Sequence, residues 1–210
     1  MKISNLFLPI LVTFAISCSS PAEKVNETVE LPILGERYVD ENKDTVYHRI
    51  ADFAFVNQVG DTIRKEDMSG KIYVADFFFT SCPTICPIMK KEMLRVYNQF
   101  KGNPNFKILS HSIDPTYDTQ LVLKEYAERL GVPDAATWNF LTGDQEKIFE
   151  IGQTSYLTTT MADELEPGGF LHSGAFLLVD QQGRIRGVYD GTKAEQVDRL
   201  LLDIPKLLQP

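Results

Sequence analysis

The sequence has little cysteine, no block of basic residues, no internal repeat and no apolar run long enough to cross a bilayer comfortably. Each shortage narrows what the chain can be. Three cysteines, Cys18, Cys82 and Cys86, in 210 residues exclude a disulfide-stapled scaffold, which needs several bridges to replace a core. Lysine and arginine number 21 against 29 acidic residues, for a formal charge of -8. With no basic patch to meet phosphates, nucleic acid is not an expected partner. The apolar stretch Leu6 to Ile16 falls short of the ~20 residues a spanning helix needs. What the chain does have is a hydrophobic content of 43%, enough for one domain with a real core.

The N-terminus has the order of an export signal. Lys2 is the positive end, Leu6 to Ile16 the apolar segment, and Ala15-Ile16-Ser17-Cys18 a small-residue processing site. A cysteine directly after such a segment resembles a bacterial lipoprotein signal. Residues 1–17 are therefore expected to be removed and Cys18 to be lipidated, giving an extracytoplasmic lipoprotein anchored on the periplasmic side. The alternative is an ordinary signal peptide with an incidental cysteine. Residues 18–45 carry Pro21, Pro32, Gly35 and many charges without a sustained apolar period, and are expected to be a flexible tether. The folded domain is expected over 46–210.

With Cys18 set aside, Cys82 and Cys86 must explain each other. They sit four residues apart, just after the nearly continuous apolar run Ile72 to Phe79, which suits a strand covered on both faces. Pro83 suits a first helical turn, and Ile88, Met89, Met93, Leu94, Val96, Tyr97 and Phe100 then recur at helical spacing. A thiol at a helix start feels the positive end of the helix dipole, so its thiolate is favoured. Such a pair is either a redox couple or a soft-metal site kept reduced by a partner. Elsewhere, Ala54-Phe55-Val56 and Thr62-Ile63 around Gly60 predict a hairpin. Phe106 to Ile113 and Asn139 to Thr142 predict strands; Gln120 to Leu130 and the segment after Asp144 predict helices. Thr158 to Gly169 predicts a loop, and Ser173 to Asp190 a second hairpin before a closing helix, Lys193 to Leu208. This order indicates an α/β sandwich around a mixed sheet.

Four segments together resemble one family. They are Phe79-Thr80-Ser81-Cys82-Pro83-Thr84-Ile85-Cys86-Pro87, Ser112-Ile113-Asp114-Pro115-Thr116-Tyr117-Asp118-Thr119, Trp138-Asn139-Phe140-Leu141-Thr142-Gly143, and His172-Ser173 before an apolar strand. In this order they resemble the Sco/SenC family over about 52–208. The resemblance implies a thioredoxin-like, peroxiredoxin-like fold with an N-terminal hairpin and a central mixed sheet flanked by helices. It also implies an extracytoplasmic copper-binding protein that helps assemble the dinuclear copper centre of cytochrome c oxidase, so the oxidase's copper-binding subunit is the implied partner. The family's two cysteines and distant histidine map onto Cys82, Cys86 and His172.

Soft thiolate sulfur suits copper as Cu(I), and the same three donors also take Cu(II). Zinc is the rival ion, but no general base is evident for a zinc-bound water. The expectation is a metallochaperone rather than an enzyme. The alternative is a thiol–disulfide oxidoreductase acting on a partner's cysteines through a redox-active disulfide, with a thiol reductant protein as a further partner. A peroxiredoxin-like peroxidase fits the double-cysteine start less well. Asp76, six residues before Cys82, has the spacing of the buried aspartate of thioredoxins and could accept a thiol proton; equally, it could reach solvent or a backbone donor. His172 is expected on a mobile loop, His48 as an ordinary surface residue and His111 as a structural strand residue. Asp118 is most simply a helix cap, and Asp114 could orient the site. Met161 is a soft donor outside the expected set.

Overall fold

The computed structural model describes residues 30–132, 134–163 and 165–209. The signal segment, Cys18 and the first part of the tether lie outside the described residues. In chain order come β1 (Arg37–Val39), β2 (Thr45–Tyr47), β3 (Ala54–Asn57), β4 (Thr62–Arg64), β5 (Ile72–Phe78), α1 (Cys86–Phe100), β6 (Phe106–Ser112), α2 (Gln120–Arg129), β7 (Trp138–Thr142) and α3 (Gln145–Glu150). A single π turn, Ile151–Ser155, follows, and then β8 (Thr160–Ala162), β9 (Phe170–His172), β10 (Ala175–Val179), β11 (Ile185–Asp190) and α4 (Ala194–Leu208).

A run of apolar residues without alternation leaves no face for solvent, and all of β5 is buried. It is an interior strand, third in a seven-stranded sheet ordered β11-β10-β5-β6-β7-β3-β4. Strands β5, β6 and β7 are parallel, with Phe77 beside His111 and His111 beside Leu141. The outer strands β10, β11, β3 and β4 run antiparallel to their inner neighbours. The mixed α/β architecture matches the thioredoxin-like expectation. Its consequence for function is that the carboxyl ends of three parallel strands meet at one pole, where the loops after them form a crevice.

The two sheet faces differ in character. On one, Phe78 is covered by the Lys90 ammonium of α1 at 4.1 Å and by the Tyr126 ring of α2 at 5.7 Å. On the other, Phe77 stacks on the His111 ring at 5.0 Å and meets Tyr156 edge-on at 5.5 Å. Both phenylalanines are nearly inaccessible, so truncating either to alanine is expected to cost about 3–5 kcal/mol.

Four expectations change. The stretch read as tether through residue 45 is built structure from Glu30 onward. Leu34 N–H donates to the Ile185 carbonyl at 2.9 Å, and β1 pairs with β2. The cause is Arg186, buried beside Asp180 at 3.0 Å. Its guanidinium has more N–H groups than Asp180 can satisfy, and the carbonyls of Leu31 and Pro32 take two of them. The strands involved are three residues long, too short to leave a period in the sequence. His48 is correspondingly half-buried, with Nε2 2.7 Å from the Ser155 carbonyl. Helix α1 begins at Cys86 rather than at Pro83, with Pro87 in the first turn where its missing N–H is harmless. Finally, the Thr158–Gly169 loop contains β8, which pairs with β9 so that Thr160 lies opposite His172.

A buried cysteine, cysteine and histidine cluster as candidate metal centre

The end of β5 delivers both cysteines to the pole where the parallel strands finish. Cys82 belongs to a turn, its N–H bonded to the Phe79 carbonyl at 3.2 Å, and Cys86 is the first residue of α1. The two sulfurs are therefore not successive turns of one helix; the turn folds Cys82 back over the helix start. Asp118 fastens that turn. Its carboxylate accepts from the Thr80 N–H at 3.0 Å, from the Thr80 hydroxyl, and from Ser112 Oγ at 2.6 Å. The helix cap expected of Asp118 falls instead to Thr119, whose hydroxyl accepts from Val122 N–H. Burial pushes the Asp118 carboxyl above its usual range, against the pull of these donors. Asp114 shapes the same loop: its own N–H meets Ser112 Oγ, and its carboxylate faces Tyr117 N–H.

His172 arrives from the other side, at the end of β9. Its ring stands edge-on to Phe79 at 5.8 Å, and Phe170 packs on Phe79 at 5.3 Å. The turn before β9 runs close to the same ring. Gly168 has φ +94, and a Cβ there would lie 2.8 Å from Phe79. A residue without a side chain is required both by the positive φ and by the close approach.

The three predicted residues converge. His172 Nε2 lies 3.4 Å from Cys86 Sγ and 3.9 Å from Cys82 Sγ. One donor atom from each of the three falls within 4.8 Å of the others. Both thiols are free, and the three side chains are between 2% and 7% exposed, so the cluster is shielded but reachable. Cys82 is driven far below the ordinary thiol range, first by the hydrogen bond from Cys86 and then by His172 and nearby backbone N–H groups. Cys86, beside its partner's sulfur and buried, is driven far above it. The pair thus holds one thiolate ready. His172 Nδ1 is buried without a partner among the described residues, so the ring is held through its Nε2 face and its packing on Phe79. Two sulfurs and one imidazole nitrogen suit a soft ion in a low-coordinate site with an open side.

Asp76 meets neither reading made of it. It is fully buried, ion-paired to Lys90 Nζ at 2.6 Å, and it accepts from the Ser110 hydroxyl, which in turn receives Trp138 Nε1–H at 2.8 Å. It is closed to solvent, and among the described residues its side-chain hydrogen bonds go to Lys90 and Ser110 rather than to a thiol or a backbone donor. Lys90 is the functional-site neighbour that sequence reasoning missed. The signal was present: a lysine four residues after Cys86, among Met89, Met93 and Val96 on the apolar stripe of α1. Met161 lies on β8, opposite Leu171, and is 46% exposed.

The model of the SCO1/SenC family matches residues 41–209 of the chain. A SCO1 protein homolog from Bacillus subtilis (strain 168) is 32% identical over 164 residues, covering 77% of this chain and 84% of its own length. Among solved structures, BsSco, described as a member of the Sco family of cytochrome c oxidase assembly proteins with a disulfide switch, superposes with TM-score 0.67 at 31% identity. The match covers 76% of this chain and 93% of BsSco. Bradyrhizobium japonicum ScoI, solved with copper bound, shares the fold at TM-score 0.58 and 22% identity, covering 75% of this chain and 98% of its own.

Proposed function

The chain belongs to the SCO1/SenC family, and on that footing we propose that it binds copper through Cys82, Cys86 and His172 and passes it to the copper-binding subunit of cytochrome c oxidase. The observation that carries this reading is the convergence of two free thiols and one imidazole within 4.8 Å at the carboxyl pole of the sheet. Zinc would call for a base aimed at a bound water. The buried carboxylates Asp76 and Asp118 are instead committed to Lys90, Ser110, Thr80 and Ser112.

The chain's own groups do three things in this scheme. The Cys82 thiol is held far below its ordinary range, first by its partner Cys86, which favours the thiolate a soft ion needs. Phe79, Phe170 and the β8–β9 hairpin keep the ring of His172 facing both sulfurs. Having only three donors leaves one side open for a recipient's ligand, as transfer requires. Copper, as cargo, supplies the affinity for soft donors. The reading also includes export, an anchor at Cys18 and a thiol reductant that keeps Cys82 and Cys86 reduced; the signal-like N-terminus and the free cysteines support these parts.

A second activity is favoured by a specific observation. The surroundings of the pair, which lower the Cys82 thiol and raise the more deeply buried Cys86 thiol, suit Cys82 for attack on a disulfide and Cys86 for resolution. Copper titration of reduced protein, followed by absorption and EPR, tests the leading reading. Wild type is expected to take up one copper per chain with thiolate-to-copper charge transfer, and His172→Ala to bind about 10- to 100-fold more weakly with the fold intact. Unchanged binding by His172→Ala would sink the three-donor assignment. Reduction of a protein disulfide that survives His172→Ala but vanishes in Cys82→Ser would make the oxidoreductase activity primary.

A further inference from the structure

A metal held by two thiolates carries a charge that the protein must accommodate. Two thiolates, a neutral imidazole and a monovalent ion sum to minus one; a divalent ion brings the sum to zero. An uncompensated charge in a site this buried is costly unless an opposite charge is fixed nearby. Lys90 and Arg186 are the buried cationic side chains among the described residues. Arg186 is tied to Asp180 at the amino end of β5, the pole away from the cysteines. Lys90 is 2% exposed and stands one helical turn beyond Cys86 on the same face of α1.

The ion pair with Asp76 is oriented. Its ammonium stands on α1, the helix that opens at Cys86, and its carboxylate on β5. Asp76 is itself fixed from behind by Ser110, which Trp138 holds in turn, and the ammonium rests against the Phe78 ring at 4.1 Å. This arrangement is more elaborate than packing requires, because an apolar pair of similar volume would fill the space without desolvating two charges.

We propose that Lys90, fixed by Asp76, is a positioning residue that supplies the counter-charge of the dithiolate site and biases it toward a monovalent ion. This rests on the copper reading above and adds to it a preference for oxidation state. The assignment makes the two partners act in opposite directions. Removing Lys90 leaves the negative Asp76 behind the site and disfavours the anionic complex; removing the charge of Asp76 leaves the ammonium unopposed and favours it.

The test compares wild type, Lys90→Met, Asp76→Asn and the double variant Asp76→Asn/Lys90→Met. Cu(I) affinity is read by competition with a chromophoric chelator, Cu(II) affinity by EPR titration, and the metal-free dithiol–disulfide equilibrium against glutathione. Lys90→Met is expected to weaken Cu(I) by about tenfold and Asp76→Asn to tighten it by a similar factor, with Cu(II) moved much less in both. The metal-free equilibrium should shift toward the disulfide in Lys90→Met and toward the dithiol in Asp76→Asn. Folded single variants that move in the same direction, or not at all, overturn the assignment. Should a single variant fail to fold, the double variant carries no unpaired charge and decides alone: it should bind Cu(I) several-fold more weakly than wild type with Cu(II) unchanged, and equal Cu(I) affinity overturns the proposal. Failure of the copper reading looks different, since wild type itself would then take up no copper; in that case opposite-sign shifts of the metal-free equilibrium still support the counter-charge role, and their absence removes it.

Discussion

Two histidines are buried in this molecule to nearly the same degree, and they do opposite things. His172 is 7% exposed and faces two sulfurs; His111 is inaccessible and faces rings. Around His111 are Phe77 at 5.0 Å, Tyr156 at 5.3 Å, Phe55 at 5.8 Å and Phe53 at 6.1 Å, and among the described residues neither of its ring nitrogens has a partner. The difference teaches that burial of a titratable ring says little about its work. What the ring meets decides whether it is placed to serve a metal or is a flat piece of core. His172 is brought to its sulfurs by a two-stranded hairpin over Phe79, and His111 is locked among aromatics by the parallel register that sets it beside Phe77.

The largest expected effect comes from taking away what His172 faces. Cys86→Ser replaces a soft sulfur by a hard oxygen, and Cu(I) binding should fall by more than about 100-fold in a chelator competition while the thermal midpoint stays near that of wild type. If Cys86→Ser retained wild-type affinity, His172 would have no more claim to a metal than His111. A smaller effect is expected from moving the hairpin. Gly168→Ala forces a Cβ to within 2.8 Å of the Phe79 ring at a φ of +94, with a strain of about 1–3 kcal/mol. The hairpin should shift outward, weakening Cu(I) several-fold while leaving the metal-free alkylation rate of Cys82 nearly unchanged. A loss of Cys82 reactivity equal to the loss of affinity would show that the turn, rather than His172, had been disturbed.

The legible part of this architecture is the part that repeats a local rule. The unbroken apolar run of β5 announces a central strand, and the cysteine motif at its end announces the reactive pole. The ordered motifs led to His172, although ninety residues separate it from Cys82. What stayed hidden depends on which distant group arrives to satisfy a buried one. The place of Asp118 before a helix suggests a cap, but Thr80 and Ser112 claim its carboxylate from two other segments. Asp76 has the spacing of a proton acceptor until Lys90 reaches it from α1. Arg186 reads as an ordinary strand residue, yet its surplus donors turn Leu31 and Pro32 from tether into structure. In each case a buried charge chose its partner in three dimensions.

The smallest effect on copper, and the one that separates the two histidines most cleanly, is expected from His111→Leu. Leucine nearly conserves the volume and removes two unsatisfied nitrogens, so stability at neutral pH should change by less than about 1.5 kcal/mol and Cu(I) affinity not at all. The acid limb should change. Burial drives the His111 pKa down to about 4, with Asp76 pulling weakly the other way. A histidine near 6.5 in the unfolded chain takes up its proton before the folded one does, so the unfolded state gains stability as the pH falls from about 6.5 toward 4. By pH 5 the wild type should have lost about 2 kcal/mol through this group alone, a loss that His111→Leu does not share. Urea midpoints of the two proteins, compared at pH 7 and at pH 5, isolate that difference, because every other titrating group is common to both. Parallel losses in the two proteins would mean that His111 binds its proton in the folded state as readily as in the unfolded one. The aromatic cage would then be open to water or to a donor, and His111 would no longer be the inert counterpart of His172.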